Sequence, residues 1–326
     1  MGGETANTAK IAEKVSSEIF QHFRWTRVGI PNKSWSCVIP SHKKKNHPSD
    51  AVYCYEEVYV NQQTYVICDF KSYAKGSITS ASLATALSSL NMALSCAKFS
   101  DEFKQLFIDE SRSHNIVGLL FIYNNDNEFD RDFETMLDEA SYKVKVSEGN
   151  RIFVMGPRDV TYLDRIAQNM LLLRGDEKLP PKNSCSFFSL EIPQKKVILD
   201  PSQIPLSLEY ATSDVQLLRY SNDPQNKTFD GLDVYLRFAG NSVEDFMYTL
   251  DMLRCSYVFH ERKKIRFFLP NACELAPINF QKAIKRYGYE LDADYFKEIE
   301  SSISYEAITR LNAFRFSDII VGMENE

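Results

Sequence analysis

Glycine and proline are scarce, twelve of each in 326 residues, well under the ~7% and ~5% of average usage, which excludes collagen-like and Pro/Gly low-complexity chains. Long apolar runs are missing too. The longest, such as Ile116 to Tyr123, are strand-sized, far from the ~20 residues a membrane helix needs, so no span is expected. The start, Met1-Gly2-Gly3-Glu4-Thr5-Ala6, has neither a basic segment nor an apolar one. Ala6 also stands where a myristoylation motif carries Ser or Thr, so neither leader nor lipid anchor is read and a cytoplasmic location is expected. The seven cysteines form no Cys-x-x-Cys pair, and the five histidines show no metal-ligand spacing. A zinc site is therefore not expected, and the cysteines read as buried free thiols in a reducing compartment. No Gly-x-Ser-x-Gly elbow and no glycine-rich phosphate loop occur, which disfavours serine-triad hydrolases and ATPases. A surplus of positive charge is also lacking: the net charge is −6, so any contact with nucleic acid has to come from local basic patches.

What is present is ordinary globular material, 44% apolar and 25% charged, in a chain long enough for two cores. The division is expected at Gly175 to Asn183, around Pro180-Pro181, giving domains 1–175 and 183–326. In the first, Ile11, Val15, Ile19, Phe20 and Phe23 recur at helical spacing, with Thr8 as N-cap. A strand from Trp35 to Ile39 follows. Asp50 to Val60 and Thr64 to Lys71 read as a hairpin closed by Asn61-Gln62-Gln63. Ser80 to Phe99, rich in Ala and Leu, is a helix, and the run at Ile116 is a strand buried on both faces. Arg151 to Met155 and Val160 to Leu173 add a strand and a helix. The second half alternates: strand Leu232–Ala239, helix Ser242–Cys255 with Ser242 and Asp245 as a capping box, strand Ile265–Leu269, helix Pro277–Tyr287, helices Tyr295–Ile303 and Tyr305–Phe314, and a strand at Ile319–Val321. No solenoid repeat is visible. The fold class expected is α/β, a mixed sheet flanked by helices, with a second α/β domain.

The informative stretch is Pro48-Ser49-Asp50, then Asp69-Phe70-Lys71. Asp69 and Lys71, two apart on a strand, leave the same face. With a three-residue hairpin loop, Asp50 meets them only through strand curvature or a different register. Two carboxylates suit a hard cation such as Mg²⁺, which keeps its remaining positions for water and phosphate. A lysine beside that cation can stabilise the charge gathered in phosphodiester hydrolysis.

This pattern resembles the PD-(D/E)xK nuclease superfamily, whose signature is an acid on one strand and acid-x-Lys on the next. The resemblance covers roughly residues 8 to 125, with Ser49 standing between the proline and Asp50. It implies a restriction-endonuclease-like fold and Mg²⁺- or Mn²⁺-dependent cleavage of DNA, with Asp50, Asp69 and Lys71 catalytic. It further implies that Asp50, Asp69 and the main-chain carbonyl of Phe70 hold the metal, with a glutamate of the first helix completing the set. Glu18, three residues after Val15, is the candidate there, in preference to Glu13. Lys43-Lys44-Lys45, just before Asp50, is the candidate DNA-backbone contact, while His260-Glu261-Arg262-Lys263-Lys264 reads as a turn. Chains of this kind are similar to effector subunits of bacterial restriction and anti-phage defence systems, which implies a homo-oligomer or a partner protein. The competing reading is a catalytically inactive nuclease-like scaffold serving as a binding or assembly module, in keeping with the acidic net charge.

Overall fold

The computed structural model describes residues 2–188, 204–222, 229–256, 258–261, 264–289 and 291–308. It divides into two compact units, one running to Asp164 and the other starting at Arg165. The edge expected at 175–183 therefore falls inside the second unit. The helix Pro157–Gly175 ends where that edge begins and is bonded within the second unit: Arg165 donates to the Pro270 carbonyl at 2.9 Å, and Asn169 to the Tyr235 hydroxyl at 3.1 Å. No helix of the described residues is long and apolar enough to cross a membrane.

The first unit comprises α1 (Gly2–Phe20), β1 (Thr26–Val28), β2 (Ser34–Ser36), β3 (Asn46–Pro48), β4 (Ala51–Glu56), β5 (Gln63–Tyr73), α2 (Ser80–Ala97), α3 (Asp101–Phe107), β6 (His114–Asn124), α4 (Phe133–Ser141), β7 (Ile152–Met155) and the start of α5 (Pro157–Gly175). Its sheet runs β1-β4-β5-β6-β7. The first two pairings are antiparallel and the last two parallel. Helix α2 starts at a capping box, Thr79 and Ser82 each accepting from the other's backbone N–H, which satisfies two donors left over at the helix start. Its Leu83, Leu87, Leu90 and Leu94 pack in one core with Val52, Ile67, Leu120 and Ile122 of the sheet. Gly118 lets the helix in, since a Cβ there would stand 2.8 Å from Leu94. The other alternation of the strands gives Tyr53 and Phe121, whose rings meet Phe20 of α1 edge-on at 5.2 and 5.7 Å.

Several local expectations change. Helix α1 is already formed at Gly2, so Thr8 lies inside it rather than capping it. The strand expected at Trp35–Ile39 is only Ser34–Ser36, paired with β3. The hairpin loop is residues 57–62 rather than three residues, because Val58 is buried as loop rather than as strand. That shift sets the register as Ala51 with Cys68 through Glu56 with Gln63.

The second unit continues α5 and adds β8 (Cys185–Phe187), α6 (Leu208–Ala211), β9 (Val215–Tyr220), β10 (Gly231–Leu236), α7 (Val243–Cys255), β11 (Lys264–Phe268), α8 (Ala276–Gly288), α9 (Ala293–Ser302) and β12 (Ile303–Glu306). Ser242 caps α7 by accepting from the Asp245 N–H at 3.2 Å. Tyr305, expected in a helix, is a strand residue, its segment pairing in parallel with β11. Glu306 is likewise in that strand, while residues 309–314 of the expected helix and the strand at Ile319–Val321 lie outside the described residues. The sheet order is β12-β11-β10-β9-β8, again two antiparallel steps followed by two parallel ones when read from β8. Each unit thus holds a mixed five-stranded sheet of the same pairing pattern, a likeness of topology that side-chain periodicity does not display.

Candidate active site

The ladder between β4 and β5 ends at Ala51 and Cys68, so the next position outward sets Asp50 opposite Asp69. There the side chain of Asp50 replaces a main-chain partner: its Oδ2 accepts the Phe70 N–H at 2.5 Å. The Phe70 ring is buried, edge-on to Phe121 at 5.7 Å, so Asp69 and Lys71 on either side of it turn to the opposite face. Both are half-buried, and the Lys71 ammonium is ion-paired to Asp69 Oδ1. The register that sets Asp50 opposite Asp69, itself paired to Lys71, follows from the wider hairpin loop.

Burial lifts the Asp50 carboxyl to about 6, with the charge of Asp69 adding to the rise, against the Phe70 N–H and Lys71, which pull it down. Burial alone would lower the Lys71 ammonium, but the charge and hydrogen bond of Asp69, joined by Asp50, outweigh it and hold Lys71 above its ordinary range. Burial likewise drives the neighbouring Cys68 thiol well up, leaving it protonated and inert. The chain thus crowds carboxylate charge into a half-desolvated strand end with one lysine as internal counterion, an arrangement a cation relieves. Two carboxylates facing each other at a strand end fit a hard divalent ion that keeps several waters.

On the first helix, Glu13 is tied to the segment that carries Asp50. Glu13 Oε2 accepts from the Asn32 side chain at 3.4 Å, and the Asn32 N–H donates to the Asp50 carbonyl at 2.8 Å. Glu13 is also among the charges raising Asp50, and Arg27 lies 3.6 Å from its Oε1. Glu18 is half-buried on the same helix, about 140° round from Glu13. Ile11 and Val15 set the buried stripe, and Asn32, in the turn before β2, bonds Glu13. That tertiary contact has no trace in helical spacing.

Lys43, Lys44 and Lys45 are exposed in the turn between β2 and β3, and Lys44 Nζ reaches the Ser89 hydroxyl at 3.3 Å. Lys45 is five residues from Asp50, at most ~18 Å of chain. Of the second basic cluster, Arg262 and Lys263 lie outside the described residues. A cluster that spacing had excluded does form: Cys37, His47 and Cys96 offer metal-ligand atoms all within 4.8 Å of one another. The local signal was Cys37-x₄-His42-x₄-His47, incomplete without Cys96.

Compared with known families, residues 1–159 match the model of the GAPS4 protein PD-(D/E)XK nuclease domain. The match ends within a few residues of the first compact unit. No curated protein and no solved structure matches.

Proposed function

From the premise that residues 1–159 form a nuclease domain of the PD-(D/E)XK superfamily, we propose that the chain is a metal-dependent endonuclease that hydrolyses DNA phosphodiester bonds. The observation that supports this most is the register that sets Asp50 opposite Asp69 with Lys71 paired to Asp69. A bound Mg²⁺ or Mn²⁺ supplies a Lewis acid at the phosphoryl oxygen and an acidified water. Asp50, Asp69 and the Phe70 carbonyl would hold it, with Glu13, rather than Glu18, as the helix acid beside them. Lys71, held charged beside Asp69, would offer a positive charge to the anionic phosphoryl group, where such a charge stabilises the transition state. Asp50 fixes the main chain at Phe70, and so the spacing of Asp69 and Lys71.

Lys43, Lys44 and Lys45 contribute phosphate contacts, and the acidic balance of the chain leaves recognition to other surfaces. The protein therefore works in the cytoplasm as a homo-oligomer or with a partner protein, in a restriction or anti-phage defence complex. The test is cleavage of linear and supercoiled DNA by the purified chain with and without Mg²⁺ or Mn²⁺. Asp69→Ala and Lys71→Ala are each expected to lower the rate at least ~100-fold while the protein stays folded. Undiminished cleavage by Asp69→Ala would remove the assignment. Cation binding without cleavage of any DNA form would favour the scaffold reading instead.

A further inference from the structure

The loop between β2 and β3 and the end of α2 bring together four side chains of zinc-binding type. His42 Nδ1 stands 3.6 Å from Cys37 Sγ and 3.3 Å from His47 Nε2. The ligand atoms of Cys37, His47 and Cys96 lie within 4.8 Å of one another. With Zn–S near 2.3 Å and Zn–N near 2.05 Å, a tetrahedral ion sets its ligands ~3.6 Å apart for nitrogen to sulfur and ~3.3 Å for nitrogen to nitrogen. The two measured separations match both values. We propose that Cys37, His47 and Cys96 hold a structural zinc ion, with His42, which reaches Cys37 and His47 but stands outside the set that includes Cys96, turning in as the fourth ligand.

Three further observations support it. His47 is buried, and its Nδ1 has no partner, so the ring's polar engagement is its Nε2, turned into the cluster. A buried ring with so little hydrogen bonding calls for an explanation such as an ion. The Val38 N–H donates to Cys96 Sγ at 3.3 Å, the kind of main-chain donor that supports a metal-bound thiolate from outside the ligand set. Finally, β2 and β3 are three residues each and, among the described residues, pair only with one another, too short a ribbon to hold its own shape in water. Trp35 of this ribbon packs on Phe103 at 4.8 Å, and a zinc ion would add the second fastening, to α2 through Cys96. The fastening matters because the ribbon displays Lys43–Lys45 and runs through Pro48 and Ser49 into Asp50.

Sulfur and imidazole ligands select zinc over the hard cations suited to Asp50 and Asp69, so the two metals are separable. On binding, both thiols give up their protons to solvent and coordinate as thiolates. The experiment is elemental analysis of the full chain after reconstitution with zinc and gel filtration. One zinc per chain is expected, retained in Asp69→Ala and in excess Mg²⁺, and lost in the Cys37→Ser/Cys96→Ser variant. Should that variant not fold, Co²⁺ loaded into the unaltered chain decides: tetrahedral visible bands with thiolate-to-cobalt charge transfer support the site. Octahedral cobalt, no retained zinc, or a Cys37–Cys96 disulfide in the unreduced chain would overturn it. Absence of cleavage by the unaltered chain with its zinc retained would count against the nuclease assignment and leave this one standing.

Discussion

Asp50 faces Asp69 one position beyond the last ladder pair of β4 and β5, and its carboxylate accepts the N–H of Phe70. Two acids set against each other at a half-desolvated strand end are costly to ionise together without a cation. A divalent cation held there, as proposed, would relieve that cost.

That cost is measurable at Asp50. Burial, with help from Asp69, raises the folded carboxyl to about 6, against an ordinary 3.8. Folding then binds a proton between those values, so this group's contribution is complete below about pH 4 and is lost as pH rises through about 6. Asn at this position is neutral throughout. Without added divalent cation, Asp50→Asn should melt above the unaltered chain at about pH 7, and the gain should vanish toward about pH 4. Added Mg²⁺ should raise the melting temperature of the unaltered chain alone. A gain that does not change with pH, or a loss at neutral pH, would contradict the electrostatic account.

Glu13 and Glu18 separate the tertiary evidence from the helical spacing. If Glu13 acts with Asp50, Glu13→Gln should weaken Mg²⁺ dependence of cleavage ~10–100-fold in required metal concentration, the range for residues supporting a metal site. Glu18→Gln should shift it little. Metal titrations of cleavage in both variants decide, and the reverse order would restore Glu18.

The strands and helices that carry the site were readable because periodicity is a local property: the Ala- and Leu-rich α2, the doubly buried β6 and the Asp69-x-Lys71 pair were all expected. The register was not, because Val58 looks like a strand residue and is buried in a loop instead. One misplaced turn left Asp50 apparently distant from Asp69. The Cys37, His42, His47 and Cys96 cluster escaped for the related reason that its fourth member comes from α2, far along the chain. Short pieces such as β1 and β3 carry too few residues for any period to show.

The second unit holds an acid on the corresponding strand of the same sheet pattern, paired to an arginine. Asp233 lies on β10, the third strand of its sheet as β5 is of the other, and it is fully buried. Arg266 holds it in a two-pronged bond, Nε to Oδ1 at 2.6 Å and Nη2 to Oδ2 at 2.8 Å, and donates also to the Lys178 carbonyl at 3.0 Å. Removing one partner strands a buried charge. Asp233→Ala is expected to cost ~3–5 kcal/mol, whereas the Asp233→Leu/Arg266→Met double variant should recover much of that. Denaturant melts of both are the check, and a double variant no more stable than Asp233→Ala would mean the pair does more than neutralise itself.

Lys43, Lys44 and Lys45 are the exposed cations nearest Asp50 along the chain, yet the protein carries a net charge of −6. Binding of the isolated chain to duplex DNA should therefore be weak at physiological salt and dominated by a few phosphate contacts. Each phosphate neutralised adds ~0.9 to the slope of log affinity against log salt, so three lysines account for ~2.7. Anisotropy titrations in the Asp69→Ala background, which keeps the DNA intact, should show the slope falling by that amount when all three lysines become alanine. The loss should be uniform across DNA sequences, since phosphates carry no base information. An unchanged slope would move the DNA path away from the β2–β3 turn. It would also remove the reason for tying that turn so closely to Asp50.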